Sequence, residues 1–168
     1  LDDLAAFQQQ IGIDKIKLLK PKPSYRILGG NSRRPSSTIG KNPLKGVILD
    51  YYIPQIIDSL DLKLDILKDN TVIRSYTSKK NKNIESWPGG PPNQAILKIK
   101  KGFNRFNWDL RRATLPAVEN IFVYGDYQGG IVPPGNYSAR ISYNNVIDET
   151  QITVLADPRI IANKENYN

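Results

Sequence analysis

The chain has 168 residues, long enough to bury a core without disulfides or bound metal. It contains no Cys and no His, which excludes thiol nucleophiles, Cys/His zinc sites, Ser-His-Asp triads and histidine general bases from this sequence. The net charge of +8 is dispersed among Lys79, Lys80 and Lys82, Lys98, Lys100 and Lys101, Arg33-Arg34 and Arg111-Arg112. That scatter argues against a basic stripe for nucleic acid and for a solvated surface.

Residues 1 to 40 differ in composition from the rest. "LDDLAAFQQQIGIDKIKLL" is at best weakly helical, and the Pro, Gly, Ser and Arg mixture that follows has no apolar period. This predicts an N-terminal segment and linker outside the folded unit. Short apolar runs then alternate with turn signals. "GVILDYYI" is a first strand, closed by Pro54. In "LDLKLDIL" the residues Leu60, Leu62, Leu64 and Ile66 share one face, opposite Asp61, Lys63 and Asp65. "KDN" supplies turn chemistry before "TVIRSYTS", predicting a hairpin. After the loop "KKNKNIESWPGGPPN", two more strands are expected in "QAILKIK" and "NRFNWDL", joined at Lys101-Gly102.

Phe106, Trp108 and Leu110 fall two apart and are expected in the core, with Arg105, Asn107 and Asp109 on the other side. "RRATLPAVENIFVYGDYQGGIVPPG" is too long for a plain connection and is expected to be functional or decorated by a short element. In "NYSARISY", Tyr137, Ala139, Ile141 and Tyr143 form one face, and Tyr137 sits where a hydroxyl can bond back to the backbone at a sandwich corner. Asn144-Asn145 reads as a type I′ turn, and "ETQITVL" is the last strand. The pattern predicts an all-β protein, an antiparallel Ig/fibronectin III-like β-sandwich of about seven strands over residues 41–157, with residues 158–168 as a C-terminal extension.

Candidate chemistry is sparse. Trp87, Tyr124 and Tyr127 lie in Gly/Pro-rich loops, where exposed rings can stack on sugars, making polysaccharide a candidate ligand. The loop carboxylates Asp2, Asp3, Glu85, Asp109, Glu119 and Asp126 show no spacing that pairs them for glycoside hydrolysis. No catalytic residue, metal site or cofactor is expected. No apolar run approaches the ~20 residues needed to cross a bilayer, and the absence of Met at Leu1 suggests a fragment or processed chain.

Three blocks, "LDLKLDILKDNTVIRSYTSK", "GFNRFNWDLR" and "GGIVPPGNYSARISYNN", resemble the Ig-like domain of the FlgD type. The flanks "LDDLAAF", "LLKPKPSYRI", "GKNPLKGVILDYYI" and "TVLADPR" resemble the region that follows the β-propeller in bacterial sortilin-like, BNR-repeat proteins often labelled glycosyl hydrolases. The resemblance runs from Leu1 to Arg159. Two departures stand out: Asn70 occupies a turn position that the family often fills with Gly, and the insertion around "NKNIESWPGGPPN" has no counterpart. The resemblance implies a non-catalytic spacer or docking module of a larger secreted, periplasmic or cell-surface protein, with an adjacent propeller as its partner. Any hydrolase activity would then lie outside this chain.

Overall fold

A computed structural model describes residues 14–27, 44–79 and 87–160. Expectations for residues 1–13, 28–43, 80–86 and 161–168, including Asp2, Asp3, Glu85 and Arg33-Arg34, lie outside the described residues. The protein is all-β. Its strands are β1 (Lys17–Leu18), β2 (Ser24–Tyr25), β3 (Val47–Ile53), β4 (Lys63–Lys68), β5 (Thr71–Thr77), β6 (Gly102–Trp108), β7 (Gly135–Tyr143) and β8 (Val146–Leu155).

The strands form two sheets, in the orders β1-β3-β6 and β2-β8-β7-β4-β5. With β3 beside β6 in one sheet, and β4, β7 and β8 in the other, this is the immunoglobulin arrangement A-B-E against G-F-C, with β5 added as C′. No D strand appears beyond β6 among the described residues. The pairing departs from purely antiparallel at one place, where β2 runs parallel to β8.

Period-2 burial dictates which side chains meet between the sheets. In β3, Val47, Leu49, Tyr51 and Ile53 are buried, and in β7 the inward set is Tyr137, Ala139, Ile141 and Tyr143. Leu62, Leu64 and Ile66 enter the same core. Leu67 is buried too but lies outside that cluster, opposite Ser138 of β7, and a bulge leaves Ile73 of β5 as the extra residue between the Ile66 and Leu67 pairings. Phe106 and Trp108 carry the smaller sheet onto the larger one: Phe106 packs on Tyr76 of β5 with ring centroids 4.5 Å apart. Trp108 meets Tyr137 of β7 edge-on at 5.7 Å. Both hairpin turns have positive φ at their central residues, 48° and 64° at Asp69-Asn70 and 50° and 58° at Asn144-Asn145. That is the type I′ geometry, and Asn fills the position at which the resembling family often has Gly.

Four expectations need correction. First, the boundary near residue 41 does not hold, because β1 pairs with β3, β2 pairs with β8, and Ile16 and Leu18 are buried in the core. The Lys/Pro-rich composition concealed two strands too short to show a period. Second, "QAILKIK" forms no ladder: Leu97 is buried and its N–H reaches Thr77 O, but the Lys98 carbonyl is taken by the Tyr51 hydroxyl and the Lys100 carbonyl by the Asn104 amide. Third, Leu110 is core without being strand. The strand ends at Trp108, and a φ of 63° at Leu110 swings its side chain in. Fourth, Asp65 is buried beside Lys63 at 2.8 Å, also accepting from the Ser75 hydroxyl, although the alternation placed it in solvent.

Candidate functional site: a cleft between two sheet edges and an apolar loop

The sandwich is open between β5 and β6, the outer strands of the two sheets on one side. A cleft of about 320 Å³ lies there. Arg74 and Tyr76 line it from β5, Phe106, Asn107 and Asp109 from β6 and its exit, and Arg111 from the turn that follows. The strand alternation explains the mixture: Tyr76 and Phe106 close the floor from the core side, while the edge residues bring polar ends to the rim.

The polar groups are held in fixed orientations. The Arg74 guanidinium donates through Nη1 to Arg112 O at 2.6 Å and to Thr114 Oγ1 at 3.3 Å, with its carbon 5.1 Å from the Tyr76 ring centroid. Its Nε, withdrawn from water, has no hydrogen-bond partner among the described residues. Asn107 donates through Nδ2 to Lys45 O at 2.8 Å, which sets the orientation of its amide, and its Oδ1 is likewise buried with no partner among the described residues. Arg111 donates through Nη1 to Gly129 O at 3.0 Å, and its backbone N–H donates to Asp109 Oδ1 at 3.1 Å. Burial pushes the Tyr76 hydroxyl up to about 12, partly offset by the Arg74 charge and reinforced by Asp109. The phenol is therefore a neutral hydrogen-bonding group across the physiological range. This set of a guanidinium pair, a carboxylate, an amide and a neutral phenol is suited to recognising a polar ligand.

Arg74 and Asn107 did not stand out in the sequence as site residues, although both lie within the blocks that carry the resemblance. Asn107 was legible only as an outward residue of the strand, and Arg74 lies in a strand whose buried face the pattern left ambiguous.

The three aromatic candidates do not share a surface. Tyr127 is buried, with 7% of its surface exposed, whereas Tyr124 is fully exposed. Trp87 is half-buried. Its indole N–H donates to Ile121 O at 2.9 Å, and Gly90 lies so close that a Cβ there would fall 2.7 Å from the ring. Asp126 accepts from the N–H of Gln128 within its own turn. The closing "DPR" also folds on itself: Arg159 donates to both carboxylate oxygens of Asp157, at 2.8 and 2.6 Å.

The long connection from β6 to β7 contains no regular strand. Its two arms are joined by a bridge between Arg111 and Ile131 and by bonds from Arg112 N to Gly130 O and Leu115 N to Tyr127 O. Its tip is apolar and in solvent: Leu115, Val118, Ile121 and Phe122 are 49–67% exposed, beside Tyr124. No Lys or Arg occurs between Arg112 and Arg140, in a chain whose net charge is +8. No protein-family model, no curated protein and no solved structure matches this chain.

Proposed function

We propose that this chain is a non-catalytic immunoglobulin-like docking module of a larger secreted or periplasmic bacterial protein, in keeping with its resemblance to FlgD-type domains that follow a β-propeller. The observation that carries the proposal is the apolar tip of the β6–β7 connection. Monomer surfaces rarely gather several large apolar side chains in one place, and interface centres are depleted of charge and enriched in aromatics. Leu115, Val118, Ile121, Phe122 and Tyr124 meet that description within ten residues. Covering them would contribute about 1.5 to 3 kcal/mol for each fully buried aliphatic or phenyl side chain. The occupant proposed is the neighbouring domain of the same polypeptide.

The test is calorimetric titration of this chain with the separately expressed neighbouring domain. Saturable binding is expected, weakened at least tenfold by Val118→Lys combined with Phe122→Asp, with the melting temperature of the chain unchanged. Absence of binding between two folded partners would refute docking. Binding on a glycan array that is lost with Tyr124→Ala would replace it with the carbohydrate reading.

A further inference from the structure

A buried polar atom without a hydrogen-bond partner is rare in a native protein, because folding strips it of water and returns nothing for it. Among the described residues, two buried side-chain atoms stand in that position, Arg74 Nε and Asn107 Oδ1. They come from different sheets, yet both residues line the cleft of about 320 Å³ that has Tyr76 and Phe106 in its walls. One is a donor and the other an acceptor. An unmet pair of this kind, gathered at one cleft, is what a site for a polar guest requires.

The chemistry of each wall narrows the guest. Arg74 Nη1 is engaged by Arg112 O and Thr114 Oγ1, which anchors the guanidinium. The unmet Nε belongs to the edge whose two parallel N–H groups, on Nε and Nη2, match the two oxygens of a carboxylate. Arg111 adds a second guanidinium to the lining, against the single carboxylate of Asp109, which already accepts from the Arg111 N–H. The balance of charge favours an anion. Asn107 needs the opposite kind of group: its Nδ2 is held by Lys45 O at 2.8 Å, so its Oδ1 is fixed as an acceptor and calls for a donor. A guest that satisfies both walls carries a carboxylate with an N–H or O–H beside it. The floor decides between an amino-acid derivative and a sugar acid. Tyr76 and Phe106 are 3% and 8% exposed and leave no ring face open for a sugar to stack on. The volume is at the lower end for small-molecule sites, and Pro92 and Ala95 offer apolar contact to a short side chain.

We infer that this cleft binds an acylamino acid unit, free or at the C-terminus of a peptide, with its carboxylate on Arg74 and Arg111 and its N–H on Asn107 Oδ1. Both protein atoms are shut off from water in this structure, so binding entails a small rotation of the two side chains toward the guest. The new bonds displace no existing bond at either atom, which makes that rotation favourable. The site is independent of docking through the β6–β7 tip, since it uses other residues and is probed by other variants.

The experiment titrates the ¹⁵N-labelled chain with N-acetylglycine and follows the Nε–H signal of Arg74. The signal should shift saturably and exchange more slowly with water as the guest binds. Acetylglycinamide, which lacks the carboxylate, and acetylsarcosine, which lacks the N–H, should each bind at least tenfold more weakly. Ala95→Trp, at an exposed position lining the cleft, should weaken N-acetylglycine binding at least tenfold with the melting temperature unchanged. Arg74→Lys keeps the positive charge and removes the paired N–H edge, so a loss of at least tenfold in the folded variant separates recognition from charge attraction. Acetyl-Ala-Ala-Gly binding as tightly as N-acetylglycine assigns the site to peptide ends, and weaker binding assigns it to the free molecule. The absence of any Arg74 shift at millimolar N-acetylglycine would overturn the inference. So would equal binding of acetylglycinamide or acetylsarcosine, or tighter binding of glucuronate.

Discussion

The hydroxyl of Tyr137 donates to the carbonyl oxygen of Pro133 at 2.7 Å, four residues back along the chain. This bond ties the start of β7 to the Pro-Pro-Gly turn before it, and the same ring meets Trp108 edge-on across the sandwich. One side chain therefore fixes both the corner and the contact between sheets. Tyr137→Phe should keep the ring contact and lose the bond, costing about 0.5 to 1.5 kcal/mol in a urea melt.

Trp108 is fully buried, and its indole N–H donates to Arg111 O at 3.0 Å. Trp108→Ala should cost about 3 to 5 kcal/mol through the cavity and the lost transfer energy. Trp87→Ala, at a half-buried loop position, should cost less than half of that. Equal shifts in the two melts would refute the contrast between core and loop.

The parts of this fold that were legible in the sequence are those whose residues alternate. The inward face of β7, the Leu62-Leu64-Ile66 stripe that runs into β4 and the Phe106-Trp108 pair follow from a side-chain period of two. The Asn-Asn turn follows from the tolerance of Asn for positive φ. Pattern reading failed where burial comes from pairing alone. Lys17–Leu18 and Ser24–Tyr25 are strands only because β3 and β8 lie beside them, and no two-residue window contains a period. It failed in the opposite direction at "QAILKIK", where alternating apolar residues reach the core while side chains of Tyr51 and Asn104 hold the backbone carbonyls. The cleft was invisible because its walls come from separate segments, with Tyr76 of β5 and Phe106 of β6 thirty residues apart in sequence, brought together only where the edges of the two sheets meet.

Asn145, with a φ of 58°, occupies the second central position of the turn between β7 and β8. Asn145→Gly removes the steric penalty of positive φ but loosens the unfolded chain, so it should be neutral or stabilising by less than about 1 kcal/mol. Asn145→Val places a branched Cβ in the left-handed region and should cost about 1 to 2 kcal/mol. Thermal melts of the two variants side by side check the sign.

Two buried tyrosines make the fold sensitive to alkali. Burial raises the hydroxyl of Tyr51 to about 12, and that of Tyr76 also to about 12. Both start from an ordinary value of 10.0. The folded state holds these protons more tightly than the unfolded state. Their contribution to stability is therefore fully present below pH 10 and is lost as the pH rises from about 10 toward about 12. Denaturant midpoints should fall over that window, and the fall should be shallower in Tyr76→Phe. An unchanged slope in that variant would show that Tyr76 ionises in the folded protein as freely as in the unfolded one.

The segment before the Pro-rich stretch provides the sharpest test of the corrected boundary. Ile16 and Leu18 are 4% and 3% exposed. The N–H of Leu18 donates to the Asp148 carboxylate at 2.7 Å, that of Leu19 to Asp50 O at 2.9 Å, and Lys17 pairs with Asp148 at 3.2 Å. Those contacts reach β3 in one sheet and β8 in the other, so the segment closes the sandwich at its side. Burying two aliphatic side chains contributes about 3 to 6 kcal/mol, a large share of the 5 to 15 kcal/mol typical of a whole domain. Leu18→Ala should cost about 2 to 5 kcal/mol, and deletion of residues 1–27 should lower the melting temperature sharply or leave the chain unfolded. Native-state hydrogen exchange should find the amides of Leu18 and Leu19 protected well above those of the exposed tip around Tyr124. A truncated chain that melts with the full-length protein would return the boundary to residue 41 and make β1 and β2 dispensable additions to a sandwich complete without them.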